Sequence, residues 1–151
     1  MARRFLIGVC LAFVAFPALA DYCGDRESQT VFHCEFQNST RQVHVCLHED
    51  DSYQYAYGKP GKAPELELRR RADQVVYTPW NGIGSAFWAR LAFDNGGYRY
   101  DVGYSVLKDG SAPVEGILAI YEPGNETPIA TKFCRPGTVE TRLEELWERF
   151  N

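Results

Sequence analysis

The sequence predicts a mainly β protein: an antiparallel β-sandwich or barrel of about eight or nine short strands, followed by one C-terminal amphipathic helix. Three observations lead to this fold class. Short runs rich in β-branched and aromatic residues recur along the chain, separated by turn residues. Aromatic residues make up 14% of the chain, enough for a core rich in Tyr and Phe. Near the C-terminus, the apolar spacing changes from alternation to a helical repeat.

Residues 1–20 have the features of a cleavable signal peptide, in the expected order. Arg3 and Arg4 precede an apolar run, and small residues lead up to a cleavage position after Ala20. The apolar run is interrupted by a proline and falls short of the roughly 20 residues that a membrane-spanning helix needs. We therefore predict export, most simply to a bacterial periplasm, and a single mature domain over 21–151 without membrane insertion.

The charge of the chain argues against two classes of partner. Sixteen basic residues stand against 20 acidic ones, a formal net charge of −4 that becomes −6 when Arg3 and Arg4 leave with the signal. Nucleic acids and anionic membranes both require a concentrated positive patch. The one basic run, Arg69–Arg71, follows two glutamates and is interpreted as a solvated strand end rather than an anion site.

The cysteines predict two disulfides. Removal of Cys10 with the signal leaves an even number in a small exported domain: Cys23, Cys34, Cys46 and Cys134. No two of these have the C-x-x-C spacing used by thioredoxin-like centres and most zinc ribbons. We therefore predict neither a metal nor a cofactor.

The first two strands suggest how the cysteines pair. We interpret VFHCEF and QVHVCLH as a hairpin; a three-residue loop between them would set Cys34 opposite Cys46, close to disulfide range. That pairing leaves Cys23 to bond Cys134 and join the two ends of the domain. The crossed pairing, Cys23–Cys46 with Cys34–Cys134, remains open.

The following runs add three more strands. Tyr53, Tyr55 and Tyr57 share one face of a strand that ends at the turn 58–61. The runs ELELRR and QVVYTPW supply two further short strands, with a turn between them.

The clearest local pattern is a hairpin formed by SAFWARLAF and YRYDVGYSV. Asn95-Gly96 suits a two-residue type I′ turn, which sets Phe93 opposite Tyr98 on the core side. On the other side, this register pairs Arg90 with Asp101 and places Trp88 beside a glycine.

Two more strands and a helix complete the chain. VEGILAIYEP and TPIATKFC read as a final hairpin of buried strands. After 135–137, apolar residues recur at helical spacing, with Thr138 as a possible N-cap and Glu145 with Arg149 as an i,i+4 pair. The apolar residues of this predicted helix are Val139, Leu143, Leu146, Trp147 and Phe150.

Histidines are the first candidates for a site. His44 and His48 share a strand face and are followed by three acidic residues, which suggests a cation site. However, positions i and i+4 of a strand are about 13 Å apart, too far for both imidazoles to bind one metal. We expect partly exposed strand histidines that contribute at most to binding.

Aromatic residues favour binding over catalysis. Tyr53, Trp80 and Trp88 could form a stacking surface for a glycan or peptide, although alternate aromatics in a strand usually belong to a core. Trp88, on the face opposite the predicted core, is the strongest candidate. GIGSAF does not match the G-x-S-x-G nucleophile elbow, and we assign no catalytic residue.

The chain resembles small exported proteins of proteobacteria. The motifs that carry the resemblance are Cys23-Gly24, the hairpin segments 31–36 and 43–46, the segment YAYGKPG at 55–61, the strand EGILAIYEPG, and Cys134. The resemblance implies no activity and no functional residue. We predict a non-catalytic binding or interaction module of the bacterial envelope, with an envelope protein or glycan as partner. The alternatives are a hydrolase of envelope polymer and an inhibitor of a cationic lysozyme-like enzyme.

Overall fold

The computed structural model describes residues 23–24 and 28–151; the predicted signal peptide and its cleavage site lie outside these residues. The protein is mainly β, as predicted, with two antiparallel sheets of five strands and no closed barrel among the described residues. The first sheet has the order β10-β1-β2-β3-β4: Glu140–Thr141, Ser28–Glu35, Gln42–His48, Ser52–Gly58 and Leu66–Arg71. The second has the order β5-β6-β7-β8-β9: Val75–Pro79, Ala86–Asn95, Tyr98–Leu107, Glu115–Tyr121 and Ala130–Phe133.

The core lies between the inner faces of the two sheets. Alternate residues of each strand point inward, so Tyr53 and Tyr55 of β3 are buried together with Leu91 and Phe93 of β6. The ring of Tyr55 lies 5.5 Å from that of Phe93, centroid to centroid, which joins the two sheets through aromatic contacts. The predicted Tyr-rich and Phe-rich core is confirmed.

Two disulfides are present, but the predicted pairing was wrong. Cys23 bonds Cys46 and Cys34 bonds Cys134, which is the crossed alternative. Cys34 lies opposite Val43 rather than Cys46, because the β1–β2 loop is centred closer to β1 than predicted. A shift by an odd number of residues exchanges the faces of a strand. Cys34 therefore points into the core, whereas Cys46 lies on the outer face of the first sheet.

The Cys34–Cys134 disulfide connects the two sheets. Cys134 follows β9 and donates its backbone N–H to the carbonyl of Gly116 in β8, at 2.9 Å. A Cβ on Gly116 would lie 2.6 Å from the sulfur of Cys134. Only glycine lets the disulfide approach β8 this closely.

The β6–β7 hairpin has the predicted faces but a different register. Its two-residue turn is Gly96-Gly97, with φ values of 60° and 85°, so Phe93 lies opposite Tyr100 instead of Tyr98. Both glycines supply the left-handed conformation that a type I′ turn requires. Since the register moves by two residues, the core face is unchanged. Arg90 and Asp101 still form an ion pair, 2.9 Å apart, across a diagonal.

A C-terminal helix is present, as predicted, but it is a short 3₁₀ helix that begins later than the apolar spacing indicates. Glu140–Thr141 form strand β10 against β1, and a 3₁₀ helix covers Leu143–Arg149. Its N-cap position is Arg142 rather than Thr138, and Arg149 pairs with Asp51 rather than with Glu145. Leu143 and Leu146 are buried, since i and i+3 fall on one side of a 3₁₀ helix.

The described part of the chain contains no helix long and apolar enough to cross a membrane.

Candidate ligand-binding groove

An open groove lies between the second sheet and the C-terminal segment, with a cavity volume of about 800 Å³. Its walls are mostly apolar. The second sheet contributes Tyr77, Pro79, Phe87, Trp88, Ala89, Tyr104 and Val106. The chain after β9 contributes Val139, Thr141, Glu144 and Trp147, and loops contribute Trp80, Gly82 and Val114. We call this set of residues the aromatic groove.

The loop between β5 and β6 holds Trp80 in place. The indole N–H of Trp80 donates to the carbonyl of Ile83 at 2.9 Å, and the Asn81 side chain accepts from the Ile83 N–H at 3.1 Å. Gly82 and Gly84 have positive φ values, which let the loop turn tightly around these bonds. Trp80 is therefore oriented by its own loop before any ligand binds.

A cation already lies over the rings at this end of the groove. Trp80 and Phe87 make an edge-to-face contact with a centroid distance of 4.9 Å. The ammonium of Lys108 lies 4.2 Å from the Trp80 ring centroid and 5.3 Å from that of Phe87. Both distances fall within the range of cation–π attraction.

The other end of the groove carries two phenols and a carboxylate. Burial and the nearby Glu144 carboxylate raise the pKa of Tyr104 to about 12. The same two causes raise the pKa of Tyr77. Both phenols are therefore neutral at physiological pH, and their hydroxyls can act as hydrogen-bond donors.

The 3₁₀ helix Leu143–Arg149 forms one wall of the groove. Leu143 and Leu146 anchor it in the core, which leaves Glu144 and Trp147 to line the groove. Trp147 keeps 50% of its surface exposed, and Phe87 keeps 42%. Large apolar side chains that stay this exposed around a concave surface are typical of a binding site.

Trp88 and Trp80 were both predicted as binding residues, and the structure brings them together. Trp88 extends from the outer face of β6, as predicted, and lines both the aromatic groove and a smaller depression of about 390 Å³ on that face. Its neighbour in the register is Ser105, whereas Gly103 lies under Arg90. Trp88 thus borders a groove rather than a flat surface.

The other three predicted binding residues lie away from the groove. Tyr53 is only 1% exposed and its ring packs against Phe150, so it is a core residue. His44 stacks on His33, with ring centroids 4.0 Å apart, on the outer face of the first sheet. On the same sheet, the Nε2 of His48 lies 2.8 Å from the side-chain oxygen of Gln54.

Neither a metal site nor a free basic patch is found where the sequence suggested one. No group of three or more His, Cys, Asp or Glu side chains among the described residues is placed to hold a metal ion. Arg69 and Arg71 of the basic run pair with Asp50 and Asp73, and Arg70 donates to the carbonyl of Asp94. These contacts agree with a solvated strand end.

Sequence reasoning missed most of the groove lining, including Phe87, Tyr104, Glu144 and Trp147. The predicted register of the hairpin sets Phe87 opposite Tyr104 on its inward side, so both were expected in the core. Trp147 was assigned to the apolar stripe of a helix. A signal was nevertheless present: the segment 80–88 carries two tryptophans, a phenylalanine and two glycines, a composition unusual for a plain strand connection.

Comparison of the chain with protein-family models, curated proteins and solved structures gives no match.

Proposed function

We propose that this protein is a binding module of the bacterial envelope whose aromatic groove holds a small ligand with an apolar body. The observation that carries the proposal is the groove itself. Its volume of about 800 Å³ and its mainly apolar lining, with a few polar groups, match the sites that proteins use for small molecules.

The exposure of the aromatic side chains supports binding over a purely structural role. A folded core leaves large rings buried, yet Phe87 and Trp147 remain about half-exposed on facing sides of the groove. A ligand that covers both rings would remove apolar surface from water, at roughly 25 cal/mol for each Å².

The geometry favours a binder over the predicted hydrolase of envelope polymer. Glycoside hydrolysis by two carboxylates requires an acid pair a defined distance apart. Among the described residues lining the groove, Glu144 is the one carboxylate. His44, which we predicted to contribute at most to binding, lies on the other sheet.

Export also remains part of the proposal. Two disulfides fit an oxidising compartment, and the signal-like segment 1–20 favours the periplasm. A soluble envelope lipid or another amphipathic compound of that compartment would supply the apolar body.

Tryptophan fluorescence offers a direct test, because all three tryptophans of the chain line the groove. We would titrate the purified, oxidised protein with decyl maltoside, a neutral amphiphile, below its micelle concentration. We expect a saturable change in emission. Trp147→Ala should weaken binding roughly fivefold or more, since a central tryptophan often contributes more than 1 kcal/mol.

Phe133→Ala is the matched control. Phe133 is an exposed aromatic residue of the same sheet, 58% accessible, and does not line the groove. Its replacement should leave the affinity unchanged. Linear, non-saturable emission, or equal losses in both variants, would refute the groove as a binding site.

A further inference from the structure

The described lining of the aromatic groove has one acidic side chain and no basic one. The acidic side chain is Glu144, whereas the ammonium of Lys108 lies outside the lining, over Trp80 and Phe87. The carboxylate lies close enough to Tyr104 and Tyr77 to raise the pKa of both phenols. Since no basic side chain is among the described residues of the lining, none offsets the charge of Glu144 within it.

The aromatic rings add to this preference. Ring faces carry negative electrostatic potential and attract cations more than anions or neutral groups. The groove shows this attraction internally, because the ammonium of Lys108 lies over Trp80 and Phe87. Lys108 is itself exposed and lies outside the lining, so its long side chain can move into water when a ligand arrives.

An anionic ligand would meet the opposite conditions. Its charge would approach the Glu144 carboxylate and the ring faces in an apolar groove, where electrostatic repulsion is stronger than in water. The net charge of −4 for the whole chain repels anions at longer range as well.

We propose that the ligand is a small amphipathic ammonium compound, whose cationic group binds beside Glu144 while its apolar body lies against Phe87, Val106 and Trp147. This inference rests on the proposed binding function of the groove and specifies the chemistry of its ligand.

Three probes with the same ten-carbon chain test the charge of the head group: decyltrimethylammonium, decyl maltoside and decyl sulfate. Each is titrated into the purified, oxidised protein below its micelle concentration at low salt, and binding is followed by tryptophan fluorescence. We expect the ammonium probe to bind roughly tenfold more tightly than the neutral probe, from one exposed ion pair plus cation–π contacts. Decyl sulfate should bind most weakly.

Glu144→Gln identifies the group responsible. This variant should lose most of the preference for the ammonium probe, measured as the ratio of the affinities for decyltrimethylammonium and decyl maltoside in the same variant. Glu148→Gln removes the same charge from the same 3₁₀ helix but outside the groove lining, and should keep the preference. Equal effects of the two substitutions would mean that only the overall charge matters, and the inference would be wrong.

The Lys108→Gln variant tests the same inference independently of Glu144. Without the lysine ammonium, a like charge near the groove no longer repels the cationic head group, so the ammonium probe should bind a few-fold more tightly than to the unmodified protein, whereas decyl maltoside should bind equally to both. Weaker binding of the ammonium probe to this variant would contradict the inference.

The outcomes separate the two proposals. Binding of decyl maltoside with no advantage for the ammonium probe, or with an advantage for decyl sulfate, overturns the cationic ligand and leaves the groove as a binding site. Failure of all three probes to bind overturns both.

Discussion

Phe93 and Phe87 lie on the same inward face of strand β6, yet their surroundings differ completely. Phe93 is fully buried, with Tyr55 of the first sheet across from it. Phe87 keeps 42% of its surface exposed and contacts Trp80 and the ammonium of Lys108. One face of one strand therefore contributes both to a closed core and to an open groove.

The difference lies in what covers each end of the second sheet. Strand β3 of the first sheet covers the region of Phe93, and the Cys34–Cys134 disulfide holds the two sheets together. At the other end of the second sheet, the C-terminal segment covers the inward face instead, and its short 3₁₀ helix leaves a groove beside Phe87. Alternation along a strand determines which side chains point inward, but not whether another element reaches them.

The largest expected difference between two matched variants comes from replacing each of these phenylalanines by alanine. Phe93→Ala should lower the free energy of unfolding by about 3–5 kcal/mol, because it leaves a cavity in the closed core. Phe87→Ala should cost less than about 1 kcal/mol, since water already reaches the ring. Urea unfolding of both variants measures the two losses in the free energy of unfolding. Similar losses would show that the groove end is packed as tightly as the core.

The two disulfides should also differ in how much each one stabilises the protein. Removing Cys34–Cys134, which spans 100 residues of sequence, should cost about 4–5 kcal/mol by the chain-entropy account. Removing Cys23–Cys46, which spans 23, should cost about 1 kcal/mol less. Urea unfolding of the two double Cys→Ala variants tests which disulfide contributes more to the free energy of unfolding. Peptide mapping of the oxidised protein tests which cysteines are bonded. A reversed order would indicate that the first sheet, rather than its connection to the second, limits stability.

The sequence predicts the strands and their faces well, for a physical reason. Alternation places Leu91, Phe93 and Val102 inward whatever the turn, because the observed shift of the β6–β7 register by two residues keeps the faces. In the β1–β2 hairpin the shift is odd, so the same reasoning assigned Cys34 to the wrong face and hence to the wrong partner.

The groove could be predicted only in part. Trp80 and Trp88 were identified because both could belong to an aromatic stacking surface and Trp88 lies on the face opposite the predicted core. Glu144 and Trp147 were not, because the C-terminal segment forms a short strand and a 3₁₀ helix where apolar spacing predicts an α-helix. How such a segment crosses a sheet depends on tertiary contacts, such as the burial of Leu143 and Leu146, that no local pattern encodes.

Titration of the tyrosines distinguishes the closed core from the aromatic groove, with a smaller expected effect on stability. Burial in the core raises the pKa of Tyr55 so far that it should not ionise before the protein unfolds. Burial and Glu144 raise that of Tyr104 to about 12. Since an unfolded tyrosine ionises near pH 10, the stability contributed by the neutral Tyr104 phenol is complete below pH 10 and is lost as the pH rises towards 12.

Alkaline absorbance titration of the native protein against Tyr104→Phe isolates this phenol. Glu144→Gln should lower its pKa yet keep it above 10, because burial remains, and Glu148→Gln should not change it. A Tyr104 pKa that stays near 12 in the Glu144→Gln variant would mean that the carboxylate does not act on the groove.

The smallest effect concerns the ion pair between the groove wall and the first sheet. Arg149 of the 3₁₀ helix donates to Asp51 in the turn between β2 and β3 at 2.8 Å, but both side chains are largely exposed. Arg149→Gln and Asp51→Asn should each change the free energy of unfolding by less than about 1 kcal/mol and leave decyl maltoside binding intact. A loss of binding in either variant would show that this ion pair holds the groove wall in place. If binding is unchanged in both variants, the burial of Leu143 and Leu146 is sufficient to hold the wall and keep the groove open beside a closed core.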